Sequence, residues 1–160
     1  MNKLSEHANI EVHRSCPDTN TVKDILWAHP TSIELLHAFL RMLIMYCTYK
    51  TNMYWLPLME IVRVTSTDMT FSVAFAYLEA EREDNFSWCL DSLKCLMYNC
   101  LMLSIVVTHR DSTLMNAVER IFPTSHHILC RWHIKKILLF ITRKLLIPKR
   151  KSTYSSLIWI

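Results

Sequence analysis

Three groups of residues in this 160-residue sequence have side chains that could do chemistry. The first is an acidic cluster formed by Glu79, Glu81, Glu83 and Asp84. The second is Asp111, which follows the apolar run SIVVT at 104–108. Carboxylates can hold a divalent cation, but they also favour helix N-termini, where they accept hydrogen bonds from free backbone N–H groups. We therefore predict a solvated cluster at the start of a helix, and for Asp111 either a helix-capping role or, as the alternative, a metal ligand.

The third group is Cys130 and His133, which stand in a Cys-x-x-His spacing. Structural zinc needs four ligands, and His126 or His127 could be added, but four ligands within eight residues make a tight geometry. A nucleophilic Cys130–His133 pair would need an orienting third group and an oxyanion hole, and the sequence contains no glycine to form one. We favour a packing or local hydrogen-bonding role.

Aromatic and basic residues offer a possible route to nucleic acid. Trp55, Trp88 and Trp132 could stack on bases, although burial in a core is the favoured interpretation. The segment 131–160 holds eight Lys and Arg and no Asp or Glu, so it is either a solvated tail or a surface for phosphate. The candidate contacts to nucleic acid are Lys50, Arg131, Lys135 and Lys136.

The composition predicts one globular domain. Hydrophobic residues make up 51% and charged residues 20%, a balance that supports a core. No apolar run reaches the ~18 residues needed to cross a bilayer, and 1–16 has no apolar stretch typical of a secretory signal. We expect no membrane segment, no secretion and mainly buried thiols. Because glycine is absent, Asn, Asp or strained residues must adopt positive φ, and stability should be marginal.

Hydrophobic periodicity predicts an α/β fold with a mixed sheet. Residues 21–39 indicate short helical pieces interrupted at Pro30, with Thr31 or Ser32 as a cap. Apolar and alternating runs then predict strands, and three- or four-residue spacing predicts helices. The predicted strands are 42–47, 57–65, 70–78, 104–108 and 126–130; the predicted helices are 84–100, capped by Asp84, and 112–122, ended by Pro123, with a further helix after 130.

Three motif blocks in this order resemble the Mutator-like (MULE) transposase domain of flowering plants, which also occurs in transcription factors of the FAR-RED-impaired-response type. They are TYKTN at 48–52, THRDSTLMNAVERIFP at 108–123 and HILCRWH at 127–133. The resemblance implies a ribonuclease-H-like fold, here truncated before the last part of its core. Together with the helical pieces predicted at 21–39, it divides the chain into an N-terminal helical segment at 1–40, a partial transposase domain at 41–136 and a divergent basic and apolar tail at 137–160.

The resemblance also implies where a DDE-type transposase would hold Mg²⁺. The first family acid corresponds to Tyr46 and the second to His109, with Asp111 nearby, and no acid follows Glu119 in place of the third. A phenol with a pKa near ~10 does not replace a carboxylate. We therefore predict an inactive fragment without a cofactor; the alternative is a domesticated regulator, nuclear or cytoplasmic, that binds DNA weakly or dimerises with related transposase-derived proteins.

Overall fold

The computed structural model of the protein describes residues 9–38, 41–49, 52–65, 67, 69–97, 103–109 and 111–131. The chain divides into two compact units, Met1–Cys130 and Arg131–Ile160. Apart from Arg131, every described residue belongs to the first unit. No helix among the described residues combines the length and apolar character that crossing a membrane would require.

The described part of the first unit contains a seven-stranded mixed sheet and three helices. The strands are β1 (Ile10–Ser15), β2 (Val22–Ala28), β3 (Met42–Thr48), β4 (Leu58–Val64), β5 (Thr70–Tyr77), β6 (Ile105–Thr108) and β7 (His126–Leu129); the helices are α1 (Pro30–Ala38), α2 (Glu83–Leu96) and α3 (Ser112–Ile121). The strands lie in the order β1-β2-β5-β4-β3-β6-β7. Strands β1 to β5 pair antiparallel, whereas β6 runs parallel to both β3 and β7. The predicted α/β class with a mixed sheet is confirmed.

From β3 onward the order of elements also agrees with the prediction, and each of these strands begins and ends within one residue of its predicted position. Helix α2 departs from the prediction at both ends. Its N-cap is Arg82 rather than Asp84, which lies in the first turn and binds Arg14 instead. The helix ends at Leu96, and Met97 closes it by donating its backbone N–H to the Leu93 and Lys94 carbonyls. The helix predicted after 130 lies outside the described residues, except for Arg131.

The prediction of a helical segment at the N-terminus is wrong where the strands β1 and β2 form. Strand β2 alternates buried and half-buried residues, with Asp24, Leu26 and Ala28 buried, and it lies between β1 and β5. This period of two, supported by pairing on both sides, outweighs the weak helical spacing. Helix α1 begins at Pro30, where the missing N–H costs nothing, so Thr31 and Ser32 lie inside the helix and do not cap it.

The hydrophobic core joins one face of the sheet to apolar side chains of all three helices. Its fully buried members include Leu26, Leu43, Met45, Met59, Ile61, Leu36, Phe86, Leu90 and Leu114. Alternate residues of the strands point to the opposite face, where Trp27 stacks on Phe75 with 5.7 Å between ring centroids. Because β3 and β6 contribute to this continuous core, the core fixes the positions of the residues at their ends.

Positive backbone φ angles fall on two described residues, Asn20 at 52° and Trp55 at 59°. Asn tolerates this region because its short side chain bonds locally, whereas Trp pays a steric cost. The prediction that Asn or a strained residue would replace glycine is confirmed at both positions.

Candidate functional site

The candidate site lies where the carboxyl ends of β3 and β6 meet. These strands are parallel neighbours, and Met45 pairs with Thr108. Tyr46 follows Met45 on β3, and His109 follows Thr108, the last residue of β6. The two residues therefore lie side by side at the edge of the sheet that the carboxyl ends of these strands form. The topology brings together the two positions at which the family resemblance places acidic residues.

Tyr46 is engaged with the neighbouring strand. It lies opposite Glu60 of β4, and its phenol donates a hydrogen bond to Glu60 Oε2. The other carboxylate oxygen of Glu60 accepts a hydrogen bond of 2.6 Å from Ser72 of β5. Burial, together with the hydrogen bond to Glu60, raises the pKa of Tyr46 to about 12. The phenol is therefore neutral near pH 7 and serves as a donor.

Asp111 caps helix α3. Its Oδ1 accepts hydrogen bonds from the backbone N–H groups of Thr113 at 2.8 Å and Leu114 at 3.2 Å, and from the Thr113 hydroxyl. Oδ2 lies 3.8 Å from His109 Nε2. Burial opposes ionisation, but these hydrogen bonds and the nearby imidazole bring the pKa of Asp111 below its ordinary value. The predicted capping role is confirmed.

Three further side chains complete this edge, and sequence patterns did not single them out as one group. Tyr49 is hydrogen-bonded to Glu81, which together with partial burial raises the pKa of Tyr49 to about 12. Burial raises the pKa of the Cys47 thiol, and the nearby charges of Glu81 and Asp111 add to the effect. Glu81 follows β5, which lies two strands from β3, so its proximity depends on the sheet order.

The other members of the acidic cluster point elsewhere. Glu79 forms an ion pair with Lys23 at 3.1 Å, and Glu83 lies 3.8 Å from Arg120. Asp84 accepts a hydrogen bond of 2.9 Å from Arg14. Glu83 and Asp84 occupy the first turn of α2, where acids complement the helix dipole. The predicted acidic cluster at the start of a helix is confirmed for Glu83 and Asp84.

The donor set at the edge does not fit a pair of Mg²⁺ ions. Such ions need hard oxygen ligands in near-octahedral geometry. Here Tyr46 offers a phenol that is hydrogen-bonded to Glu60, His109 offers an imidazole, and one oxygen of Asp111 is bound to the N-terminus of α3. Within the described ranges, no three His, Cys, Asp or Glu side chains are grouped so as to hold a metal.

Cys130 continues the line of β7, and its backbone N–H donates to the Thr108 carbonyl at 2.8 Å. His127 Nε2 lies 2.6 Å from Thr108 Oγ1, and burial lowers the pKa of His127. Because adjacent strand residues point to opposite faces, His126 and His127 do not converge on one ligand position. His133 lies outside the described residues, so the Cys-x-x-His element stays a prediction.

The proposed nucleic-acid contacts lie largely outside the described ranges. Lys50, Lys135, Lys136 and Trp132 fall there, whereas Arg131 is described and exposed. The tryptophans also differ. Trp88 packs against the core as predicted, but Trp55 is 64% exposed in the loop between β3 and β4, so its predicted burial is wrong.

Comparison with known proteins adds to this geometry. Residues 42–137 match the model of the MULE transposase domain. The chain is 27% identical over 129 residues to the PKS-NRPS hybrid synthetase cheA of Chaetomium globosum. This alignment covers 79% of the chain and 3% of that protein. The chain is also 27% identical over 119 residues to Protein FAR1-RELATED SEQUENCE 5 of Arabidopsis thaliana, which covers 74% of the chain and 15% of that protein.

The chain thus spans a small part of the curated relatives that it matches. The match to the family model, in contrast, covers more than half of the chain and begins with β3. It includes Tyr46, His109, Asp111 and Cys130, and it confirms the resemblance carried by the three motif blocks. The chain belongs to the MULE transposase domain family.

Proposed function

We propose that this transposase-derived chain has a ribonuclease-H-like core that does not cleave DNA. The fold part of the proposal is supported by the five strands β5-β4-β3-β6-β7. Three of them form an antiparallel meander, and two follow in parallel with helices α2 and α3 between them. This is the chain order expected of a ribonuclease-H-like sheet.

The observation that carries the loss of cleavage is the use made of Tyr46 and Asp111. Tyr46 stands where the family has its first acid, and its phenol donates a hydrogen bond to Glu60. Asp111, the surviving acid near the second position, holds the N-terminus of α3. Two-metal cleavage relies on ions that stabilise both the attacking and leaving oxygens, and these side chains do not supply the necessary ligands.

A plasmid-nicking assay tests the proposal. Purified chain, at several concentrations with Mg²⁺ or Mn²⁺, is expected to leave supercoiled plasmid uncut above a no-protein control. The matched variants are Asp111→Asn, which keeps a capping side chain without its charge, and Glu81→Gln. Metal-dependent nicking that persists in Glu34→Gln, an exposed control on α1, but is lost in either matched variant would overturn the proposal.

A second proposed function is weak association with DNA, in the nucleus or cytoplasm, by a chain that no longer cuts it. The observation that favours it is the segment 131–160, in which eight basic residues occur without an acid. Neutralised phosphates release counterions, so the binding constant should fall with salt by a log-log slope of about −0.9 per phosphate contacted. Replacing Arg131, Lys135 and Lys136 with glutamine should reduce that slope; salt-independent binding, or none at low salt, would exclude this function.

A further inference from the structure

Strand β7 is held to the sheet with little apolar burial. It pairs with β6 over four residues, from His126 opposite Ile105 to Leu129 opposite Thr108. Its four residues alternate between exposed and half-buried, so none of them is fully buried. Local opening of a fold begins where few buried apolar contacts are lost. Separation of β7 from β6 therefore costs less free energy than separation of the core strands from one another.

A side-chain hydrogen bond joins the two strands. His127 Nε2 lies 2.6 Å from Oγ1 of Thr108, which is fully buried. The other ring nitrogen, Nδ1, is also buried, and no described residue forms a hydrogen bond with it. A neutral imidazole has a proton on only one of its nitrogens. The neutral ring therefore fits this position, because the proton can remain on Nε2 while Nδ1 is an unused acceptor.

The protonated ring does not fit. An imidazolium has an N–H on both nitrogens, so Nδ1 would become a charged donor in a buried position without an acceptor. Burial accordingly lowers the pKa of His127, and the nearby charge of Glu119 on α3 opposes this effect only in part. Strand β6, with the sequence IVVT, has no titratable side chain, and His126 points to the opposite face of the sheet. Protonation is therefore unfavourable as long as β7 stays paired.

We propose that β7 is an acid-sensitive strand: protonation of His127 favours a state in which β7 has separated from β6 while the other strands stay folded. The separation breaks the bond between His127 and Thr108, and also the one from the backbone N–H of Cys130 to the Thr108 carbonyl. Because His109 directly follows Thr108, the edge that contains the candidate site changes as well. The proposal does not depend on whether the chain binds or cleaves DNA.

The direction and the size of the effect follow from linkage. The pKa of His127 is lowered from 6.5 in the folded chain, so the paired state loses stability as the pH falls below 6.5. In the separated state the ring meets water and has its ordinary pKa. A single group of this kind can raise the population of the separated state by at most about tenfold at a pH of about 5.5.

Hydrogen exchange of the full chain, followed by mass spectrometry at about pH 7.5, 6.5 and 5.5, tests the proposal. Exchange rates are corrected for the intrinsic effect of pH. Peptides that cover β7 should exchange between about two- and tenfold faster at the lowest pH, whereas peptides from β4 and β5 should keep their protection. Unchanged protection of β7, or a loss of protection in β4 and β5 together with β7, would overturn the proposal in the parent chain alone.

Two variants assign the effect to one side chain. His127→Gln keeps a hydrogen-bonding group beside Thr108 but does not titrate, so its corrected exchange in β7 should be the same at every pH. His126→Gln, at the exposed neighbouring residue, is the matched control and should retain the acid sensitivity of the parent. A thermal melt at about pH 7.5 establishes that each variant is folded. Acid sensitivity that persists in folded His127→Gln, or that disappears in His126→Gln, would refute the role of His127.

Discussion

The phenol of Tyr46 donates a hydrogen bond to the carboxylate of Glu60, the residue directly opposite it on the neighbouring strand. A carboxylate at position 46 would instead place two like charges across the strand pair, which is unfavourable unless a cation lies between them. Tyrosine thus makes this part of the sheet stable without a metal. The same contact stabilises the pairing of β3 with β4.

The first prediction concerns this hydrogen bond. Replacing Tyr46 with phenylalanine removes the donor but keeps the ring, so the free energy of unfolding should fall by about 1–2 kcal/mol, as for a hydrogen bond to a charged group. Urea denaturation at pH 7 measures the change. Tyr54→Phe, in the exposed loop, is the control and should lie within about 0.5 kcal/mol of the parent. If both variants unfold alike, the bond to Glu60 contributes no stability.

The second prediction is a dependence on alkaline pH. The pKa values of Tyr46 and Tyr49 are about 12 in the folded protein, above the ordinary value of 10.0. Between these values the unfolded chain has lost protons that the native chain retains, so stability should fall as pH rises from about 10 to about 12. Absorbance near 295 nm should show that Tyr46 and Tyr49 ionise late. In Tyr46→Phe, one tyrosine fewer should ionise late. A titration curve unchanged by this substitution would contradict the assignment of a raised pKa to Tyr46.

The third prediction separates the capping role of Asp111 from metal binding. Asp111→Ala removes the side chain that bonds to Thr113 and Leu114, so it should cost about 1 kcal/mol, while Asp111→Asn should cost less. Since the pKa of Asp111 is lowered, its charge stabilises the fold above the ordinary value of 3.8 and this contribution disappears as pH falls below it. The difference between parent and Asp111→Asn should therefore shrink as the pH falls below 3.8. A melting temperature raised by Mg²⁺ in the parent alone would argue for a metal ligand.

Hydrophobic periodicity was sufficient to predict β3 to β7 and the helices between them, because the local pattern of each segment favours the element that it forms. The run IVVT favours a strand, which forms with Val106 and Thr108 buried, and Asp111 follows it at a capping distance from an amphipathic run. Strand β2 was missed because its pattern includes Asp24, a buried charge that only a tertiary partner can make acceptable. Glu81 was not placed beside Tyr49 for a related reason, since that proximity depends on strand order in space.

The fourth prediction tests the hydrogen bonds that Asp24 accepts in the folded protein. Asp24 is fully buried and accepts hydrogen bonds from Arg14, the backbone N–H of Glu79 and the Asn85 side chain, so it links β1 and β2 to α2. Asp24→Ala should lower the free energy of unfolding by about 3–5 kcal/mol, because it leaves buried donors without an acceptor. Urea denaturation provides the measurement.

Asp18→Ala, in the exposed turn before β2, is the matched control and should change the free energy of unfolding by less than about 0.5 kcal/mol. The family match begins at 42, yet this network makes the two strands before it part of the same sheet. A chain that starts at residue 41 should therefore lose its cooperative melt. A cooperative melt in that chain, or a mild effect of Asp24→Ala, would show that β1 and β2 are dispensable.

The fifth prediction concerns the strained loop between β3 and β4. Trp55 has φ of 59°, and Asn52 holds the loop by bonding to the backbone of Tyr54 and Leu56. Asn tolerates this conformation better than Trp, so Trp55→Asn should raise the free energy of unfolding by roughly 0.5–1 kcal/mol. Tyr54→Asn, at a neighbouring exposed residue with negative φ, should give no increase in the same urea titration. An equal gain in both variants would mean that loss of exposed apolar surface, rather than relief of backbone strain, is responsible.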